Sequence, residues 1–409
     1  MLERCLGTIA LLAGVIVFFS TLWMACIAWG PMPFWDAWEV ATLDRSWGSL
    51  FKLHNEHMIT LPKLIYGLDT VVANGTGLIS IVLVWLFQIG SCALLVSLAP
   101  KPRLLGIPLV VCLMFWGRHL ENLSWSFQVG FVGLCFVAIA TMYLVTVPQR
   151  WAYWAALILG GSAPLWSLNG FLVPLLVGAV LLMLRSYARA LSFVIVCGAA
   201  AWLHYQAGFG TKSHDVSLAM VIAVYLDIVG RPFLELFVPV TRHLKFNDVS
   251  TVTMILAALV HAGVLATAWH AYKRRSPQLL ALVAISLFGL GSCLMAAIGR
   301  ADQYDGPAYR YAVFTVLGVA PVLLIGLGGL RTAFPSQGLS TAICIAIATN
   351  ATVWWQFAEM RGNIEKQAIA AIKAAPDDPA SYKLLYPSPQ GIWPRIMDFR
   401  AQKRSIFAE

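Results

Sequence analysis

The residues with the most chemical potential lie in Phe34-Trp35-Asp36-Ala37-Trp38-Glu39 and in the polar run His54-Asn55-Glu56-His57-Met58-Ile59-Thr60-Leu61-Pro62-Lys63. Asp36 and Glu39, and likewise Trp35 and Trp38, are three positions apart, so on a helical turn each pair shares a face. A carboxylate whose pKa is lifted by partial desolvation can act as a general base. Asp36 is the first candidate for that role and Glu39 the second. The competing reading is an aromatic belt at a membrane interface with solvated acids beside it. His54, Glu56, His57 and Lys63 could contact a phosphate or sugar hydroxyls, or simply shape a loop. Two histidines at i, i+3 with a carboxylate also suit a metal, but the spacing is not HExxH and no third ligand is evident.

Two further clusters follow. In Arg118-His119-Leu120-Glu121-Asn122-Leu123-Ser124-Trp125-Ser126-Phe127-Gln128, the side chains Arg118, Glu121, Asn122, Trp125 and Gln128 could grip a diphosphate or a saccharide. Helix capping and an Arg–Glu pair is the plainer use. In Gly299-Arg300-Ala301-Asp302-Gln303-Tyr304 to Tyr309-Arg310-Tyr311, two arginines bracket a short connection. Arg300 or Arg310, with Tyr311 beside it, offers a fixed bidentate cation for a departing phosphate. Otherwise the arginines are snorkelling anchors. His261 lies alone in an apolar run and reads as a satisfied core histidine. No P-loop, no GxGxxG in a strand–helix context and no GxSxG occurs.

These clusters sit in an apolar chain. Of 409 residues, 59% are hydrophobic and 11% charged, and the mean hydropathy is +0.76. That excludes a soluble domain and predicts an all-α, polytopic transmembrane helix bundle. Apolar runs begin near Leu6, Gly77, Leu104, Phe127, Trp151, Phe171, Leu191, Ser250, Gln278, Tyr311 and Leu339, about 11 helices in all; those after Leu104 and Trp151 are short. The first run is long for a signal peptide and Cys26-Ile27-Ala28 is a poor cleavage site, so Met1 to Ala28 reads as an uncleaved first helix. The eight cysteines lie in or beside apolar runs and form no CxxC pair, which argues against a disulfide framework or a zinc site.

The net charge of +9 comes mostly from short connections: Arg4, Lys101 with Arg103, Arg150, Arg185 with Arg189, Lys273-Arg274-Arg275, and Arg331. They fall in alternate loops, as the positive-inside rule produces for cytoplasmic ones, and nucleic acid is not implied. This topology requires that Val216 to Val240 make no net crossing. With Asp227, Arg231-Pro232 and Glu235, that stretch is expected as a re-entrant or surface-lying helical hairpin. Every polar connection then shares the outer face: the first loop (30–76), Gly117 to Ser126, Ser162 to Gly170, Tyr205 to Ser217, Gly299 to Arg310, and the tail. The expected organisation is a bundle over 1–358 and a short outer-side tail over 359–409. The tail is too small for a core of its own and should pack over the outer loops.

In this layout the chain resembles the GT-C superfamily of membrane glycosyltransferases. Asp36, in Trp35-Asp36-Ala37-Trp38-Glu39, matches the essential acid that those enzymes carry directly after the first helix. HNEH at 54–57, ENLSWSFQ at 121–128 and GRA to RY at 299–311 look similar to patterns in bacterial polytopic proteins of the same layout. The resemblance is architectural over most of the chain. It departs from better-known members in lacking a large C-terminal soluble domain and a plain acidic pair in the first loop. It implies inverting transfer of a sugar from a polyprenyl-phosphate donor to a cell-envelope glycan or lipid acceptor, in contact with membrane lipids. It also implies a bacterial inner-membrane location with the N-terminus cytoplasmic and the active face periplasmic or extracellular. No divalent metal or other cofactor is required if arginines supply the positive charge. A transporter or flippase for an envelope lipid, or a non-catalytic assembly subunit, is the alternative. Transporters tend to carry repeats and mid-membrane ionisable groups, whereas here polar groups crowd one face.

Overall fold

The computed structural model describes residues 2–41, 47–99, 103–209, 216–237, 246–304, 309–329 and 333–408. Lys101, Arg331, parts of the expected connections at 205–217 and 299–310, and the end of the 216–240 stretch lie outside the described residues. Among the described residues the regular structure is helical. In chain order the helices are α1 (Leu2–Ala28), α2 (Ala37–Ala41), α3 (Trp47–Phe51), α4 (Thr60–Val72), α5 (Leu78–Leu98) and α6 (Arg103–Met114). They continue with α7 (Leu120–Ser124), α8 (Val129–Leu144), α9 (Arg150–Ser162), α10 (Leu172–Met183), α11 (Tyr187–Gln206) and α12 (Leu218–Phe237). The last six are α13 (Phe246–Arg274), α14 (Pro277–Arg300), α15 (Ala312–Gly329), α16 (Ala333–Thr349), α17 (Ala351–Ala374) and α18 (Pro389–Ala401).

Eight helical stretches among the described residues are long and apolar enough to cross a membrane. Of the expected spans, those beginning near Leu104, Trp151 and Phe171 are shorter helices, α6, α9 and α10. The outside of the bundle is apolar. On α1, Ala10, Ala13, Val17 and Met24 are buried, at helical spacing, while Leu11, Leu12, Ile16, Phe19 and Trp23 point outward. A helix apolar on both faces, with large side chains exposed, has lipid as its solvent. The protein is therefore a multi-pass membrane protein.

Within the described part of the 216–240 stretch, Leu218–Phe237 forms one helix and not the expected hairpin. α12 pairs antiparallel with α13: Gly230 lies against the backbone of Thr253, where a side chain would not fit, and Tyr225 donates to His261 Nε2 at 2.6 Å. His261 Nδ1–H donates to Ala257 O at 2.7 Å, so this histidine is the satisfied core residue expected. The ionisable groups of α12 face protein, which is why a helix is tolerated there. Arg231 Nε donates to Asp227 Oδ2 at 2.8 Å, Tyr304 Oη donates to the same oxygen at 2.7 Å, and Glu235 pairs with Arg118. Pro232 has no N–H for the Ile228 carbonyl. That carbonyl instead accepts from Thr315 Oγ1 at 3.1 Å.

The tail does not begin at Glu359. α17 runs beside the end of α1 and on past it to Ala374, with Gly362 against the Ile27 carbonyl and Glu365 Oε1 accepting from Met32 N at 3.1 Å. Beyond it the chain folds onto the first loop. Met32 and Trp38 share a second core with Tyr382, Leu385, Ile392, Ile396 and Phe399. Two contacts complete the join: Ser405 N donates to Asn74 O at 2.9 Å, and Ser405 Oγ donates to Pro31 O at 2.7 Å. The core that neither segment could build alone is built between them.

Candidate functional site

A cavity opens at the end of the bundle where these connections meet. Asp36 from the first loop, the 54–57 turn, Trp125 and Gln128 ahead of α8, Arg300 at the end of α14, and Arg310 and Tyr311 ahead of α15 all line it. Residues far apart in sequence thus share one wall. The helix directions explain why. α8, α10 and α15 begin at this end, whereas α9 and α14 finish there. Consequently Arg150, Arg185, Arg189 and Lys273-Arg274-Arg275 lie at the opposite end. α11 also finishes at the cavity end, where His204 packs on Phe171 at 4.8 Å between ring centroids. The C-terminal half of α12 meets Arg118 and Tyr304 there.

Asp36 is half-buried and its carboxylate makes no hydrogen bond or ion pair with another described residue. Its charge acts on Arg310 and on Tyr66. The helical turn expected to pair it with Glu39 starts one residue later, at Ala37, and Trp35 has φ +47°. That left-handed residue turns Trp35 outward, 45% exposed, so the two tryptophans do not share a face. Trp35 N donates to Leu385 O of the tail at 2.8 Å. Trp38 is fully buried against Tyr382 and Phe399. It is a core residue, neither belt nor sugar platform.

His54 and His57 face each other across a tight turn. His54 N donates to His57 O at 2.8 Å, and His57 N donates to His54 O at 2.9 Å. Asn55 takes the left-handed position at φ +53°, which asparagine tolerates. His54 Nδ1 lies 3.1 Å from Glu39 Oε2, and the hydrogen bond from His54 holds the Glu39 carboxyl below its ordinary value. Tyr386 of the tail donates to the other Glu39 oxygen at 3.4 Å. Glu39 therefore stands behind the cavity and joins tail to turn. His57 Nδ1 accepts from Leu168 N at 3.3 Å, with Ser167 Oγ at the same distance. This places the proton on Nε2, 3.4 Å from Glu56 Oε1. Burial drives the His57 pKa down to about 4 against the opposing pull of Glu56. The ring is neutral at pH 7, so it donates a hydrogen bond there without carrying charge.

Four of the sequence candidates lie outside the cavity lining. Lys63 is buried and donates to Ser49 O at 2.9 Å and Lys52 O at 2.7 Å. It closes the end of α3, where the carbonyls no longer have a continuing helix to bond to. Arg118 is buried, paired with Glu235 and placed over the Tyr309 ring at 5.1 Å. The Arg–Glu pair exists, but its acid comes from α12 and not from Glu121. Glu121 does not line the cavity; burial raises its pKa against the opposing charge of Arg310. Asn122 is buried away from the cavity. Among the described residues no three His, Cys, Asp or Glu side chains gather closely enough to hold a metal ion.

Other lining residues were not singled out from sequence. Tyr66 of α4 donates to Phe127 O at 2.8 Å and its ring stacks on Phe127 at 6.1 Å. Trp125 also stacks on Phe127 at 5.5 Å. Trp166, Ser167 and Asn169 come from the 162–170 connection. The signal for these three was their place in a loop assigned to the same face. For Tyr66 nothing in the helical pattern of α4 distinguished it. Compared with protein families, with curated proteins and with solved structures, the chain matches none.

Proposed function

We propose that this protein is a membrane glycosyltransferase of the GT-C kind. It would move a sugar from a polyprenyl-phosphate carrier to a cell-envelope glycan or lipid acceptor, with inversion. The supporting observation is the Asp36 carboxylate, without a hydrogen-bond or ion-pair partner among the described residues, in a cavity that Arg300 and Arg310 also line, at the end opposite the basic loops. With those loops in the cytoplasm, the cavity opens at the outer leaflet of the bacterial inner membrane.

Asp36 takes the proton of an acceptor hydroxyl as its oxygen attacks the anomeric carbon. The bond from that carbon to the phosphate oxygen breaks, and the electron pair leaves on the lipid phosphate. Arg300 and Arg310 stabilise the charge that develops there. The proton on Asp36 passes to solvent at the cavity mouth. Neutral His57 can offer its Nε2–H as a further donor. In this reading Arg118 and Lys63 have no part in the chemistry, because their charges are already paired or capping. Asp36→Asn keeps the shape and removes the base. Transfer of radiolabelled sugar from polyprenyl-phosphate donors in membranes is expected to fall at least about 100-fold in the variant, with donor binding retained. Equal transfer by both would remove Asp36 from the mechanism. No transfer across a broad donor panel, together with lipid flipping in vesicles, would favour a transporter.

A further inference from the structure

The end of the bundle opposite the cavity is rich in cations and poor in acids. Asp and Glu are absent from the sequence between Glu121 and Asp215, so α8, α9, α10 and α11 carry none. Three arginines stand on these helices at that end. Arg150 opens α9, Arg185 lies in the turn from α10 to α11, and Arg189 lies in the first turn of α11. The Arg189 guanidinium rests over the Tyr153 ring of α9 at 5.0 Å, which brings the starts of α9 and α11 together. Arg150 is three residues before Tyr153 and Arg185 is four before Arg189, so each lies about one helical turn from that contact. All three arginines are exposed. The acid found at this end is Glu3, at the start of α1, and α1 packs on α6, α16 and α17.

The same two helices turn apolar side chains outward beyond the arginines. Trp151, Trp154 and Ile158 follow at helical spacing on α9, and Leu191 and Val194 on α11, all exposed. The surface is therefore cationic at the membrane edge and apolar toward the hydrocarbon. It fits a molecule that is anionic at one end and apolar beyond it. Guanidiniums without acidic partners offer forked N–H donors to phosphate oxygens, and tryptophan suits the headgroup level. A soluble phosphate leaves the apolar stripes unused, and a zwitterionic headgroup brings an ammonium against the arginines. We propose that the starts of α9 and α11 form a binding site for the phosphate of an anionic phospholipid, held by Arg150, Arg185 and Arg189, with its chains along the two stripes. The site lies in the leaflet opposite the cavity and does not depend on the sugar-transfer reading. The turn Lys273-Arg274-Arg275 is equally basic, but its Lys273 ammonium lies over Trp269 of its own helix at 4.7 Å. It serves as the control.

The test is native mass spectrometry of the full chain in detergent, titrated with phosphatidylglycerol or with phosphatidylcholine of the same chains. Phosphatidylglycerol is expected to bind at least about tenfold more tightly. Arg150→Gln, Arg185→Gln and Arg189→Gln together should abolish that preference. Lys273→Gln, Arg274→Gln and Arg275→Gln together should leave it. Loop charge also sets orientation on insertion, so a second variant keeps the charge. With Arg150→Lys, Arg185→Lys and Arg189→Lys the forked donors are lost, and the preference should fall about threefold or more. If the glutamine variant does not fold, the lysine variant carries the test. Binding of neither lipid, equal affinity for both, or an unchanged preference in the lysine variant would overturn the proposal. So would a loss from the 273–275 turn as large as that from the three arginines, which would mean a diffuse basic surface. Displacement of the lipid by an equal concentration of inorganic phosphate would reduce the site to an anion site and also overturn it.

Discussion

His57 shows how a single side chain is tuned by where the chain puts it. The backbone N–H of Leu168 occupies Nδ1, and burial makes the charged ring expensive. Because the folded pKa lies near 4 and the ordinary value is 6.5, the unfolded chain binds more protons between those limits. The neutral ring therefore contributes stability fully above about pH 6.5, and that contribution is lost as pH falls toward 4. In histidine-labelled protein, the His57 resonance, identified by its loss in His57→Gln, should stay neutral at pH 5.5. A midpoint near 6.5 would contradict the burial argument. At this scale the sequence singled out Asp36, the 54–57 run, Arg300 and Arg310, and the structure brings them to one cavity. Trp38 and Lys63, singled out with them, lie outside its lining. Type and spacing show that a residue is polar or aromatic, but whether its partner is solvent, a helix end or a tail far downstream depends on contacts that spacing does not carry.

The elements tell the same story through α12. Its charges argued against a lipid-facing helix, and the inference to a hairpin followed from the alternation of basic loops, which required no net crossing there. The charges instead found Arg118, Tyr304 and each other inside the bundle. Arg118 lies on a different connection, and nothing local to α12 announces it. Buried pairs of this kind are strongly sensitive to the loss of one partner, because a lone charge remains in a dry site. Arg118→Met should destabilise the protein by about 3–5 kcal/mol, and Arg118→Met with Glu235→Met should recover most of that loss. Thermal unfolding of detergent-solubilised protein measures both. A double variant as unstable as the single one would mean that Arg118 serves packing or the cavity, and that its pairing with Glu235 is incidental.

For the whole molecule, the segregation of polar and basic connections is the feature that pattern reading captured best. It depends only on alternation along the chain. The long helices were also legible, since apolar length needs no tertiary contact to be seen. The common core of Trp38 with the tail was not, because it joins segments from opposite ends of the sequence. That core has a topological consequence. The tail touches the first loop through Ser405 with Asn74 and Pro31, so both lie on the same side, and the chain between them crosses an even number of times. α11 and α12 both finish at the cavity end, which meets this requirement with no net crossing between them. The turn at Lys273-Arg274-Arg275 must then lie on the other side. Alkaline phosphatase fused after Glu409 in a bacterial host should be active, and green fluorescent protein at the same point dark. Fusions to a chain ending at Arg275 should give the reverse. Bright fluorescence from the C-terminal fusion would put the cavity in the cytoplasm and remove the outer-leaflet substrate from the proposed reaction, while leaving the shared side of tail and first loop intact.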